Sequence, residues 1–198
     1  MHRSLPLLAM AGALLLGSAA DAEVVQSSTT SFEVVEKVTV NAPVQQAWDT
    51  LRSPQKWWNK EHTYSGDSAN LYLDSQATGC FCEKLPGKGS VEHGHLVYVE
   101  APRIIRMSSA LGPLQAEAVA GTLTIQLDPE GDGATRVTLT YVVAGQVRVG
   151  ADKMAPLVDK VLSNQVARLK AAAEGSDMPA DDAGSAGQSA EKDPLPQP

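Results

Sequence analysis

Two alternating segments followed by one long amphipathic stretch constrain this chain more than any other feature. Within residues 119–127, Leu123, Ile125 and Leu127 alternate with Thr122, Thr124 and Gln126. Within 135–143, Val137, Leu139, Tyr141 and Val143 alternate with Arg136, Thr138 and Thr140. Side chains along a strand point to opposite faces, so each segment has one buried and one wetter face. The run DPEGDG between them reads as a hairpin loop. Over residues 152–174 the period changes, and Leu157, Val158, Val161, Leu162, Val166 and Leu169 form a helical stripe. One terminal helix can bury such a stripe only against the sheet. The expected class is α+β: a curved antiparallel β-sheet wrapped around a long C-terminal helix.

The chain before these segments fits that frame. Residues 32–40 (FEVVEKVTV) alternate and read as a first strand. Asn41-Ala42-Pro43 starts a short helix whose apolar face is Val44, Ala47, Trp48 and Leu51. Ser53-Pro54 starts a second, very short one ending near Trp57-Trp58. A meander follows, with strands expected at 71–73, 77–85, 90–100 and 103–109. The turn PGKG separates the second and third of these, and Ala101-Pro102 separates the last two.

The two ends differ in composition from the core. His2 and Arg3, an apolar run over 5–16 and Ala20-Asp21-Ala22 read as a secretory signal peptide cleaved after Ala22. The run is shorter than the ~20 residues that span a bilayer, so no membrane span is expected in the mature protein. The expected location is periplasmic or secreted. Residues 175–198 contain no Val, Ile, Phe, Trp or Tyr and read as a disordered acidic tail. Asp177, Asp181, Asp182, Glu191 and Asp193 against Lys192 carry more than half of the formal charge of −7. The remaining core is nearly neutral, which argues against nucleic acid as a partner. The expected organisation is a signal peptide (1–22), a linker (23–31), one domain (32–174) and the tail (175–198).

This order of elements, with Asn41-Ala42-Pro43, Val44, Ala47, Trp48, Trp57-Trp58, Gly94-x-Leu96 followed by Pro102, and the final helix, resembles the START-like helix-grip superfamily (SRPBCC). Within it the chain looks most like the branch with homology to the activator of the heat-shock chaperone ATPase. The resemblance implies a helix-grip fold with a hydrophobic cavity between sheet and C-terminal helix. It implies no single activity, since relatives include lipid carriers, hormone receptors and polyketide cyclases or dehydratases. Chaperone activation is not carried over, because that chaperone and its ATP are cytosolic.

The sharpest local motif is Cys80-Phe81-Cys82-Glu83, which holds both cysteines of the chain. On a strand they share a face. An extended i, i+2 pair is poorly placed for a disulfide, which needs Cβ atoms ~3.5–4.5 Å apart. The open readings are a redox pair, soft metal ligands, or two small buried side chains, the last being preferred. Val91-Glu92-His93-Gly94-His95 lies on the next strand, where register decides whether Cys-x-Cys and His-x-His meet. If Cys82 sits opposite Glu92, the histidines lie on the other face. Two Cys and two His can bind zinc or copper, but positions along a flat ladder make a poor tetrahedron. No metal or other cofactor is therefore expected.

The sequence has no G-x-S-x-G, phosphate loop or H-E-x-x-H motif, which argues against hydrolase, kinase and zinc-protease readings. Glu83, Glu92, His93 and His95 leave acid–base catalysis open. The preferred expectation is a binding protein for a hydrophobic small molecule or lipid. Its expected cavity residues are Trp57, Trp58, Cys80, Cys82, His93, His95, Met107 and Tyr141. The alternative is a cyclase- or dehydratase-like enzyme, and a weaker one is a Cys/His metal protein.

Overall fold

The structure is a computed structural model and describes residues 21–180. Eight strands form one antiparallel sheet: β1 (Asp21–Ser27), β2 (Ser31–Val40), β3 (Leu71–Leu73), β4 (Cys80–Leu85), β5 (Gly89–Glu100), β6 (Ile104–Ser108), β7 (Ala118–Glu130) and β8 (Ala134–Gln146). Their order is β1-β2-β8-β7-β6-β5-β4-β3. Two helices complete the fold, α1 (Val44–Leu51) and α2 (Ala151–Glu174). Short 3-10 turns lie between α1 and β3 and between β6 and β7. This is the helix-grip architecture expected from the element order.

The alternating segments behave as their pattern requires. Val137, Leu139, Tyr141 and Val143 of β8 are buried with Leu123, Ile125 and Leu127 of β7 and Phe32, Val34, Val38 and Val40 of β2. α2 lies along β2. The Ala151 N–H donates to the Thr29 carbonyl (3.0 Å), and Lys170 Nζ donates to the Thr39 carbonyl (2.6 Å). The first of these satisfies a helix N–H that no side chain caps. At the other end Gly175 adopts φ 66°, and the Ser176 N–H closes onto the Ala171 carbonyl (3.0 Å).

Three sequence expectations change. The proposed linker over 23–31 contains most of β1, an edge strand paired antiparallel with β2. Leu157 is 54% exposed and lies off the buried face of α2, which instead takes in Ala155, Gln165 and Ala173 beside Leu162, Val166 and Leu169. Residues 77–79 form a turn, not strand. The Thr78 N–H donates to the Leu96 carbonyl, and β4 begins at Cys80. The signal segment over 1–20 and the tail beyond 180 lie outside the described residues.

Candidate functional site

The register of β4 and β5 decides which polar side chains meet. Cys80 pairs with His95, Phe81 with Gly94 and Cys82 with Glu92, so His93 is an extra residue bulged into the ladder. Phe81 and Glu83 point inward, so strand alternation puts Cys80 and Cys82 on the opposite face, where Cys82 is still buried and Cys80 partly exposed. The bulge turns His93 inward, while the His95 side chain stays 47% exposed opposite Cys80. The expectation for Cys82 opposite Glu92 thus holds for His93 and fails for His95, because the bulge changes the phase between them. His95 and the cysteines do not join the interior cluster with Trp57, Trp58, His93, Met107 and Tyr141.

The cysteines themselves correct the sequence reading. Cys80 and Cys82 form a disulfide, with Cα atoms 5.4 Å apart. That spacing lies within the usual range of roughly 4.4–6.8 Å. Only a fully extended backbone would hold the two side chains too far apart to bond. The structure places the pair at the bulge, where β4 and β5 shift register.

Inside the sheet, Glu83 is fully buried and accepts three hydrogen bonds. They come from the Tyr64 N–H (3.0 Å), the Ser65 N–H (2.5 Å) and His93 Nε2 (2.9 Å). Burial alone would raise the pKa of Glu83, but the bonds from Ser65, Tyr64 and His93 together hold it below the usual value. Burial pushes His93 down, opposed by its bond to Glu83. The His93 ring lies between Phe81 (centroids 4.9 Å) and Tyr64 (5.8 Å). The group pins the segment after α1 to the sheet. Glu92 and His95 form an exposed pair at 3.9 Å on the opposite face.

Trp57 and Trp58 are both buried, edge to face at 5.4 Å. Adjacent residues of a helix diverge by about 100°, but Trp57 has φ −135° and is not helical, so both rings can face inward. Residues 57–59 are stitched to α2. Arg168 Nε donates to the Trp57 carbonyl (2.9 Å), and the Asn59 N–H donates to Gln165 Oε1 (2.9 Å). Met107 is buried, and so is Tyr141. The Tyr141 hydroxyl accepts from the Leu111 N–H (3.0 Å) and donates to the Ser109 carbonyl (3.2 Å). Burial pushes its pKa to about 12.

The residue that sequence reading missed is Glu36. It occupies the inward phase of β2, between Val34 and Val38, and is fully buried. Apart from the carboxyl of Asp159 on α2, no donor reaches either of its carboxyl oxygens, and Asp159 Oδ1 has no other donor either. Burial, then the neighbouring Asp159, pushes Glu36 to about pKa 8. Burial also raises Asp159, partly offset by its hydrogen bond with Glu36. The two carboxyls therefore share a proton near neutral pH. Gln165 Nε2 and Trp57 Nε1 are also buried without a partner. A signal was present: Phe32, Val34, Val38 and Val40 share one phase, and Glu36 is its charged member.

A cleft of about 250 Å³ opens on the seam between β2 and the C-terminal half of α2, lined by Val38, Ala167, Lys170, Ala171, Glu174, Ser176 and Pro179. A second cleft, about 460 Å³, lies on the outer side of α1 against Gln45, Gln46, Asp49 and Lys56. Among the described residues no group of three or more His, Cys, Asp or Glu is arranged to hold a metal. No helix there is long and apolar enough to cross a membrane.

Residues 31–174 match a family described as polyketide cyclase / dehydrase and lipid transport. Similar solved structures include CalU16 from Micromonospora echinospora, 18% identical with TM-score 0.55, covering 82% of this chain and 88% of that one. An uncharacterised protein from Rhizobium leguminosarum is 16% identical with TM-score 0.53, covering 80% and 100%. Protein MLL2253 from Mesorhizobium loti is 14% identical with TM-score 0.52, covering 73% and 98%. No curated protein matches the chain. At these identities the structural likeness concerns the fold.

Proposed function

Since this chain belongs to the polyketide cyclase / dehydrase and lipid transport family, we propose that it binds a hydrophobic small molecule or lipid between the concave face of the sheet and α2. The observation that carries this reading is a set of poorly matched buried polar atoms: Gln165 Nε2 and Trp57 Nε1 have no partner, and the Glu36 and Asp159 carboxyls have only each other. Buried polar groups are normally paired, and each orphan costs about 1–3 kcal/mol. An apolar molecule carrying a hydroxyl or carbonyl would offset that cost. The protonated Glu36 can both donate to and accept from such a group. The seam cleft reaches Val38, which neighbours Glu36 on the inner face of β2. At about 250 Å³ it is smaller than common ligand pockets of roughly 300–1,000 Å³.

Native mass spectrometry of protein purified from its own host tests this directly. A co-purifying apolar mass that is lost from Glu36→Leu supports the proposal. The absence of any adduct, together with no uptake of an apolar fluorophore, overturns it. From the N-terminal segment we also propose that the mature protein lies outside the cytoplasm, in the periplasm or medium. Cell fractionation and a mature N-terminus at Glu23 test that part.

A catalytic version of the site rests on a different observation, that His93 and Glu83 face inward as a carboxylate–imidazole pair. It is the weaker of the two readings, because all three donors to Glu83 come from groups that hold the fold together.

A further inference from the structure

The ligand reading leaves the Cys80–Cys82 disulfide without a role. Stability supplies little reason for it, because a bridge spanning two positions closes the shortest of loops and constrains the unfolded chain least. The surrounding sheet also holds both cysteines in place without the bond. Cys80 is paired with His95 on β5, and Cys82 is paired with Glu92 on β5 and with Tyr72 on β3. Phe81 and Glu83 fix the same strand into the interior. Opening the bond therefore leaves two thiols that remain neighbours on one face.

Their surroundings are unequal. Cys82 is buried, whereas Cys80 is partly exposed. Lys84 lies two positions beyond Cys82 on the same face, with Nζ 5.7 Å from the centre of the Tyr72 ring. A nearby cation favours a thiolate leaving group. β3 ends at Leu73, opposite Phe81, so the ladder leaves the partly exposed Cys80 without a strand partner on that edge.

We propose that Cys80–Cys82 is an exchangeable two-electron couple, reduced by a dithiol, with Cys80 the sulfur attacked. A donor thiolate bonds to Cys80 Sγ as the Sγ–Sγ bond breaks, and Cys82 leaves as a thiolate. The second thiolate of the donor then attacks the donor sulfur of the mixed disulfide, and Cys80 leaves. The donor becomes a disulfide, the protein a dithiol, and the two donor protons end on the two cysteines. The reverse sequence oxidises a dithiol at the expense of the bond.

The test incubates the full chain with dithiothreitol and, separately, with reduced glutathione near neutral pH. Alkylation and mass spectrometry count the thiols while circular dichroism follows the fold. The expected result is reversible appearance of both thiols with unchanged circular dichroism. Acid-quenched wild-type protein should carry glutathione on Cys80. Cys82→Ser should be captured by oxidised glutathione at Cys80 at least about ten times faster than Cys80→Ser is captured at Cys82. The proposal is overturned if thiols appear only as the folded signal is lost. Glutathione mapped to Cys82, or equal capture of the two variants, overturns it as well. The acid-quench measurement decides the point even if a variant does not fold.

Discussion

Glu36 and Asp159 form a buried acid pair that ties stability to pH. The folded chain holds the Glu36 proton up to about pH 8, while the free carboxyl releases it near 4.5. Below 4.5 both states are protonated and the contribution is fully present; it is lost as pH rises through 8. At ~1.4 kcal/mol per unit the upper bound on this loss is about 5 kcal/mol. Thermal melts of wild type and Glu36→Gln should therefore diverge, with the wild type falling relative to the amide between about pH 5 and about pH 8. A constant difference across that window would refute the assignment. Glu83 behaves in the opposite sense. Its folded pKa is depressed, so its contribution is present above the unfolded pKa and lost on acidification. Glu83→Ala leaves three donors facing a buried void and should cost about 3–5 kcal/mol in chemical denaturation. A loss under ~1 kcal/mol would show that solvent replaces the carboxylate.

At the level of elements, α2 presents a face that its apolar residues only partly announce. Leu157 belongs to the sequence stripe yet is exposed, whereas Leu162 is 1% exposed against the sheet. Leu162→Ala should destabilise by about 2–5 kcal/mol, and Leu157→Ala by less than ~0.5 kcal/mol. Equal effects would mean that the helix is rotated about its axis. The strands were legible because period-two alternation is local. The His93 bulge was not, because an extra residue in one strand has meaning only relative to its partner. β1 was hidden for a related reason: its first two residues belong to the proposed cleavage motif, and only pairing with β2 makes the segment a strand.

For the whole molecule, the boundary of the folded unit falls later than the last helical residue. Arg168 Nη1 donates to the Pro179 carbonyl (3.1 Å), and Ser176 caps α2. A chain ending at Ala180 should melt with the full-length protein. One ending at Glu174 should lose about 1 kcal/mol, since it sheds the helix cap and the Arg168 contact. Indistinguishable melts of the two truncations would place the boundary at Glu174. The candidate site is likewise a property of the assembled molecule: β2 contributes Glu36, α2 contributes Asp159 and Gln165, and the segment after α1 contributes Trp57.

Sequence alone determined the meander and the terminal helix, and the family resemblance that follows from their order. Those features depend on which side of a strand or helix each residue occupies, a short-range matter of backbone period. The charged Glu36 in an apolar phase was legible too, although its partner was not. Tertiary structure decided the register of β4 and β5, the opposite facing of His93 and His95, the Cys80–Cys82 bond and the proton shared by Glu36 and Asp159. Each of these depends on groups brought together by pairing or packing, and no local pattern along the chain encodes that distance.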